Sequence, residues 1–346
     1  MKLQKQPWLG SPRQECIFIL APAFLPVVAI FMFNDYFITQ KVNTWWWIIL
    51  VLCIDVAHVY STLFRMYWDR KTFQKYKSLL LIIPIMAFAI GFCLHYFSVA
   101  LFWRLLAYVA AYHFIRQQYG FMRLYSRKET PRRWERIVDT IAIYSATVYP
   151  LIYWHIHATD SLAWFVQGDF IALELQSYDV IFKSLYVVVM VIYVAKEALT
   201  IFRSGTLNIP KNLIMAGTCL SWYVGIVAFQ GDLIFTLLNV VAHGIPYMAL
   251  IWIHGEKKTK SGFTFNMKGL GIFIISILVL AYIEEFFWDI FIWNDHPTIF
   301  PAFFNALNEP LLLSVVVSVL VLPQVTHYVL DGFIWRLSKD VQVKME

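Results

Sequence analysis

Charge is scarce in this chain: only 14% of its 346 residues are Asp, Glu, Lys or Arg, against about 25% in soluble proteins. Thiols are scarce too. The four cysteines, Cys16, Cys53, Cys93 and Cys219, stand singly in or beside apolar runs without CxxC spacing, which excludes a disulfide framework and a thiolate-held cluster. No GxGxxG, Walker-type phosphate loop, GxSxG elbow or HExxH pair occurs, so nucleotide chemistry, serine hydrolysis and zinc hydrolysis lack their usual anchors. There is no low-complexity tract and no heptad or solenoid period. What is abundant is apolar: 60% of residues are hydrophobic, 18% are aromatic and mean hydropathy is +0.62. A soluble globule of this size cannot hide that much apolar surface. The chain therefore reads as an all-α polytopic transmembrane helical bundle, residues 1–346 forming one integral membrane domain.

Apolar runs near the ~20 residues needed to cross a bilayer begin around residues 16, 44, 79, 98, 134, 178, 210, 232, 269 and 310, which predicts ten spans. Lys and Arg support that count. They cluster in the N-terminal segment, in Arg65 to Lys77, in Arg123 to Arg136, around Arg203 and Lys211, in Glu256 to Lys268 and in the tail from Arg336, which are alternate connections. The intervening stretches have almost none, and His155 to Asp179 and the loop following Trp293 have none at all. The positive-inside rule then puts both termini in the cytoplasm. It also accounts for the net charge of +6 and pI near 9.0 as topology, with the basic loops facing anionic lipid instead of nucleic acid. The first apolar stretch lacks an A-x-A cleavage site and reads as a retained anchor. A bacterial cytoplasmic membrane is the expected location.

Nine histidines divide by depth. His95, His155, His157 and His296 fall at or beyond the outer helix ends, and His254 at the inner end of the eighth span. The other four, His58, His113, His243 and His327, lie inside the second, fourth, eighth and tenth spans, all of which run from outside to inside. Each stands seven to fourteen residues before the basic cytoplasmic boundary, or roughly 10 to 20 Å at helical rise, so the four imidazoles are expected to share one layer of the inner half. Polar neighbours recur at helical spacing. Asp55 precedes His58 by three residues; Arg116 and Gln117 follow His113 by three and four; Asn239 precedes His243 by four; and Asp331 follows His327 by four, with Pro323 loosening that helix. One buried histidine is ordinarily a hydrogen-bonded core residue. Four at one depth point to a shared metal, because ligation needs several imidazoles together whereas helix packing does not.

The expected ligands are thus His58, His113, His243 and His327. Asp55 and Asp331 would orient imidazoles or complete a second metal, Gln117 and Asn239 would hydrogen-bond the surrounding shell, and Arg116 would hold an anionic group such as a haem propionate or lipid head. An all-nitrogen donor set suits iron first, mononuclear or dinuclear, with copper or zinc also compatible. Glu284, Glu285 and Asp289 on the ninth span are expected to leave early into the outer interface, and His155 and His157 to be interfacial.

On the helix layout and those four histidines, the sequence resembles the broad class of membrane-embedded multi-histidine iron oxygenases and desaturases, including bacterial carotene-cleaving dioxygenases, in which histidines from several spans hold iron. The HxxxH and HxxHH boxes of desaturases are absent, which favours a mononuclear four-histidine iron or a mixed site with Asp55 and Asp331. The resemblance implies a metal-dependent oxidoreductase acting on a lipid or isoprenoid that enters from the inner leaflet, with membrane lipids and an electron donor as partners. Two other classes remain open at this stage: a subunit carrying b-type haem for electron transfer, and a proton-coupled transporter without metal.

Overall fold

The computed structural model describes residues 6–157, 163–257, 263–301, 307 and 309–334. Lys2, Lys5 and the tail from Arg336 lie outside the described residues. The described residues are helical with no strand, because a backbone in hydrocarbon must satisfy its own polar groups and a helix does so within one segment.

Ten long helices follow one another. They are α1 (Pro12–Met32), α2 (Thr44–Met66), α3 (Arg70–Phe97), α4 (Val99–Tyr125), α5 (Arg133–His157), α6 (Gln176–Ser204), α7 (residues 209–228), α8 (Asp232–Glu256), α9 (Met267–Trp293) and α10 (Pro310–Leu320 continuing as Leu322–Gly332). Seven of them are long and apolar enough to cross a membrane, and the two parts of α10, bent by 42°, bring the number to eight if counted as one span. The remaining two, α4 and α7, are also long helices. Helix α4 carries Arg104, His113, Arg116, Gln117, Gln118 and Arg123, which dilutes its hydropathy while much of it is buried by its neighbours. The chain is an integral membrane protein by these criteria.

Helix α8 lies at the centre: 61% of its apolar window is buried, compared with 17% for α3 and α6, which present their sides outward. It packs on α1, α2 and α7, while α10 packs on α2, α3 and α4. Close approach of α8 to α2 depends on Gly244, where a Cβ would come within 2.7 Å of Ile54 Cγ2 and 3.1 Å of its carbonyl oxygen. In α2 the stretch Trp47–Val56 is wound as a wide π-type helix, a geometry that often accompanies functional sites. The bend in α10 falls at Val321, just before Pro323, whose missing N–H and ring interrupt a helix at that place.

The basic connections gather at one end. Arg65 bonds His254, Arg127 donates to the carbonyls of Pro7 and Trp8, Arg203 reaches Glu135, and Asn208 holds the Tyr125 carbonyl and Glu129. Beneath them lies a buried ion network in which Lys196 is bonded to Asp139 and Glu197, and Lys211 to Glu197 and Glu129.

Candidate metal centre

The four inner histidines meet. One ring nitrogen from each of His58, His113, His243 and His327 lies within 4.8 Å of the other three, and the residues are only 1–3% exposed. The Nε2 atoms of His58 and His243 are 3.1 Å apart, as are those of His113 and His327. Consecutive rings around the circuit His58, His243, His113, His327 have centroids 4.6–4.9 Å apart and stand at 73–90° to one another. This is a pinwheel of four imidazoles from α2, α8, α4 and α10.

Packing and hydrogen bonds fix each ring. Phe114 stacks on His243 at 3.7 Å and 7°, and Tyr328 stacks on His113 at 4.8 Å. The outward nitrogen of His327, Nδ1, is 2.7 Å from the Thr62 hydroxyl, which in turn is 3.0 Å from the Tyr247 hydroxyl. His113 Nδ1 faces Asp331 at 3.5 Å. His58 Nδ1 faces Asp55 at the longer distance of 3.8 Å. His243 is held through its backbone, whose carbonyl accepts a 2.8 Å bond from Gln117 Nε2. Imidazoles oriented through their second nitrogen by carboxylates and hydroxyls are the usual support of a metal-binding histidine set.

The donors also have the right separations. With metal–nitrogen bonds of about 2.0–2.1 Å, ligand nitrogens sit roughly 3.3 Å apart in a tetrahedron, or about 2.9 Å on the edges and 4.1 Å on the diagonals of a square. The observed pairs at 3.1 Å and the outer bound of 4.8 Å require only small adjustments to either shell. The buried four-histidine group can hold a metal ion.

Other expected residues fall elsewhere. Arg116 is turned to α5, where it bonds the Tyr144 hydroxyl and lies over the Tyr119 ring. Asn239 donates to the Phe235 carbonyl, while its side-chain oxygen has no hydrogen-bond partner. Glu284, Glu285 and Asp289 do not leave into the outer interface; all three are buried. Glu284 accepts hydrogen bonds from Tyr60 at 2.6 Å, Gln324 at 3.2 Å and Trp288 at 3.3 Å. Asp289 accepts from the backbone N–H groups of Asp295 and His296. His155 and His157 are half-buried and bonded to the carbonyls of Leu151 and Tyr153. His95, at the end of α3, is buried against Ser314.

A cavity of about 700 Å³ adjoins the centre. Its rim is formed by exposed residues including Asn43, Thr44, Asp232 and Asp295, and its floor by buried ones including Phe114, Asn239, Val240 and Glu285. Asp55, Asn239 and Gln324 line it and precede His58, His243 and His327 by three or four residues, so the floor lies about one helical turn, some 5 Å, from the imidazole layer. Asp55 is well inside α2, yet its side chain is 30% exposed; the cavity is what reaches it. The rim residues stand at the helix ends away from the basic connections.

Thr62, Tyr247 and Phe114 went unmarked in the sequence. A signal was present for two of them, since Thr62 follows His58 by four and Tyr247 follows His243 by four, the spacing that keeps side chains on one helix face.

The fold and the pinwheel together define an integral membrane protein with a four-imidazole centre beside a deep cavity. The chain matches no protein family, and no curated protein or solved structure is similar to it.

Proposed function

We propose that this protein is a membrane-embedded, metal-dependent oxidoreductase. A transition metal is held by His58, His113, His243 and His327, and a lipid-class substrate lies in the adjoining cavity. The observation that carries the proposal is the convergence of four imidazole nitrogens within 4.8 Å in a buried layer. Helix packing alone gives no reason to aim four nitrogens at one point.

The cavity beside the four imidazoles supports a redox role over a purely structural one. A catalytic metal site keeps a coordination position open to a substrate space, whereas structural zinc sites are closed tetrahedra. The cavity floor at Asp55, Asn239 and Gln324 lies one helical turn from the imidazoles. Iron is favoured, with copper next, because imidazole nitrogen suits both and thiolate is missing. The metal would supply electron transfer and activation of an oxidant. The chain's own residues do the rest: Asp331 and Thr62 orient the rings of His113 and His327, Phe114 and Tyr328 pin the rings of His243 and His113 by stacking, and Asp55 faces His58 from the cavity side. Haem b fits less well. A flat macrocycle is far wider than the spread of the four donors, and each imidazole pair occupies the space that a macrocycle ligated by the other pair would need.

In this reading the ten helices are ten spans, with the basic connections cytoplasmic and the cavity mouth on the far side of a bacterial cytoplasmic membrane. An external donor supplies electrons where the reaction consumes them. Metal analysis of the protein purified in detergent, with electron paramagnetic resonance before and after dithionite, tests the proposal. About one redox-active metal per chain whose signal changes on reduction is expected. Stoichiometric zinc alone, or no metal, overturns it.

A further inference from the structure

The cavity carries more information than its position. Its lining includes five carboxylates, Asp55, Asp232, Glu285, Asp289 and Asp295, but no lysine or arginine. Three of these acids are already engaged. Asp232 accepts from the Val42 N–H, Asp289 accepts from the backbone and ring of His296, and Asp55 faces His58. Glu285 is different: it is 8% exposed, it lines the cavity, and among the described residues it has neither a hydrogen bond nor an ion pair. A carboxylate buried without a partner in a membrane protein is costly, and such groups mark substrate or ion pathways.

Around the acids the wall is aromatic. Trp103 and Trp293 have centroids 5.3 Å apart, and Trp288 stacks on Trp293 at 5.8 Å. On another side Trp164 packs edge-on to Phe114 at 5.2 Å and to Phe235 at 5.6 Å. Aromatic faces combined with a carboxylate attract ammonium groups through the ring quadrupole. The space also discriminates among cations. Compact metal ions of the calcium or magnesium type require a close shell of six or more oxygens, whereas about 700 Å³ lies within the range of pockets for organic ligands.

We infer that this cavity binds an organic ammonium compound, with the cationic nitrogen drawn to Glu285 between the tryptophan walls and the remainder of the molecule extending toward Phe114 and Asn239. This inference rests on the proposed function and names the substrate class of the same site as an amphiphile with a cationic head.

The test titrates the purified protein with benzyltrimethylammonium and with its uncharged carbon isostere, neopentylbenzene, following tryptophan fluorescence and calorimetry. Metal-loaded and chelator-stripped samples are compared, so that a failed metal assignment is read separately from a failed cation site. At least ~10-fold tighter binding of the ammonium compound is expected, with Glu285→Gln removing most of that preference and leaving metal content unchanged. Trp293→Leu provides a second variant and is expected to weaken the cation more than the isostere. Equal binding of the two probes, or full displacement by millimolar sodium, overturns the inference. Nanodiscs with and without phosphatidylcholine identify the source: competition by that lipid assigns a choline-type head group, and unimpaired binding assigns a water-borne amine.

Discussion

Replacing a single imidazole separates a metal centre from two ordinary histidine pairs. If a metal is bound, each ring supplies one of four ligand bonds. Apparent binding energies of four-ligand metal sites are about 10–16 kcal/mol, so one ligand is worth about 2.5–4 kcal/mol, or roughly 10²- to 10³-fold in affinity. All four variants, His58→Ala, His113→Ala, His243→Ala and His327→Ala, should lose metal to that extent, because the donors surround a single point. If the rings are merely hydrogen-bonded in the two 3.1 Å pairs, energetic coupling should instead be confined to His58 with His243 and to His113 with His327. Chelator-competition titrations of the purified variants, combined with double-mutant cycles on thermal stability, measure both quantities. Coupling of His58 to His113 as strong as its coupling to His243 is expected. Unchanged metal content in all four variants, or coupling restricted to the two pairs, refutes the metal centre.

Loss of ring orientation is expected to be milder than loss of a ligand: Asp331→Asn and Thr62→Val should each weaken metal binding about 10- to 100-fold, as read by the same competition titration. Gly244→Ala places a methyl against Ile54 and should destabilise the protein by about 1–3 kcal/mol while lowering metal occupancy, because the α2 and α8 contact carries His58 and His243; denaturation in mixed micelles together with metal analysis checks both. Lys196→Met breaks the buried network with Asp139 and Glu197 and should cost about 3–5 kcal/mol, yet a folded fraction should keep its full metal content, since the network stands at the basic end of the bundle.

Much of the helix plan was readable because apolar runs and basic connections alternate along the chain. Eight of the ten starts expected from hydropathy fall within two residues of the observed helix starts. The first begins four residues early, at Pro12, and the third begins at Arg70 instead of near 79, continuing through a kink at Tyr76. Hydropathy marks where a hydrocarbon-like segment begins, while backbone hydrogen bonding carries the helix on into the charged turn before it. Hydropathy also under-reports α4, whose polar residues are covered by neighbouring helices and not by lipid.

The histidine layer was legible for a related reason. Four helices running in the same direction with a histidine at similar depth leave only rotation about each axis undetermined, and the polar neighbours at three and four residues narrowed that. Rotation is where sequence reasoning failed elsewhere. Arg116 shares a helix with His113 but turns to Tyr144, and Glu284 and Glu285 turn inward to Tyr60 and to the cavity. Nothing in YIEEFFWD distinguishes a face directed at lipid from one directed at a partner helix, because both neighbours are apolar or aromatic. The network linking Lys196, Lys211, Asp139 and Glu197 was hidden similarly, as its members lie on α5, α6 and α7 and only tertiary packing joins them.

The head-to-head placement of the Nε2 atoms restricts where protons can reside. Without an ion, two lone pairs cannot face each other at 3.1 Å, so one ring in each couple carries its hydrogen on Nε2 and the other accepts it. An ion at the centre demands that every Nε2 be bare, so the donating ring of each couple must move its hydrogen to Nδ1. Asp331 and Thr62 stand beside the Nδ1 atoms of His113 and His327, whereas the Nδ1 atoms of His58, 3.8 Å from Asp55, and of His243 have no hydrogen-bond partner. Filling the centre is therefore also a tautomeric rearrangement, and nitrogen-15 chemical shifts of the imidazoles would report it ring by ring.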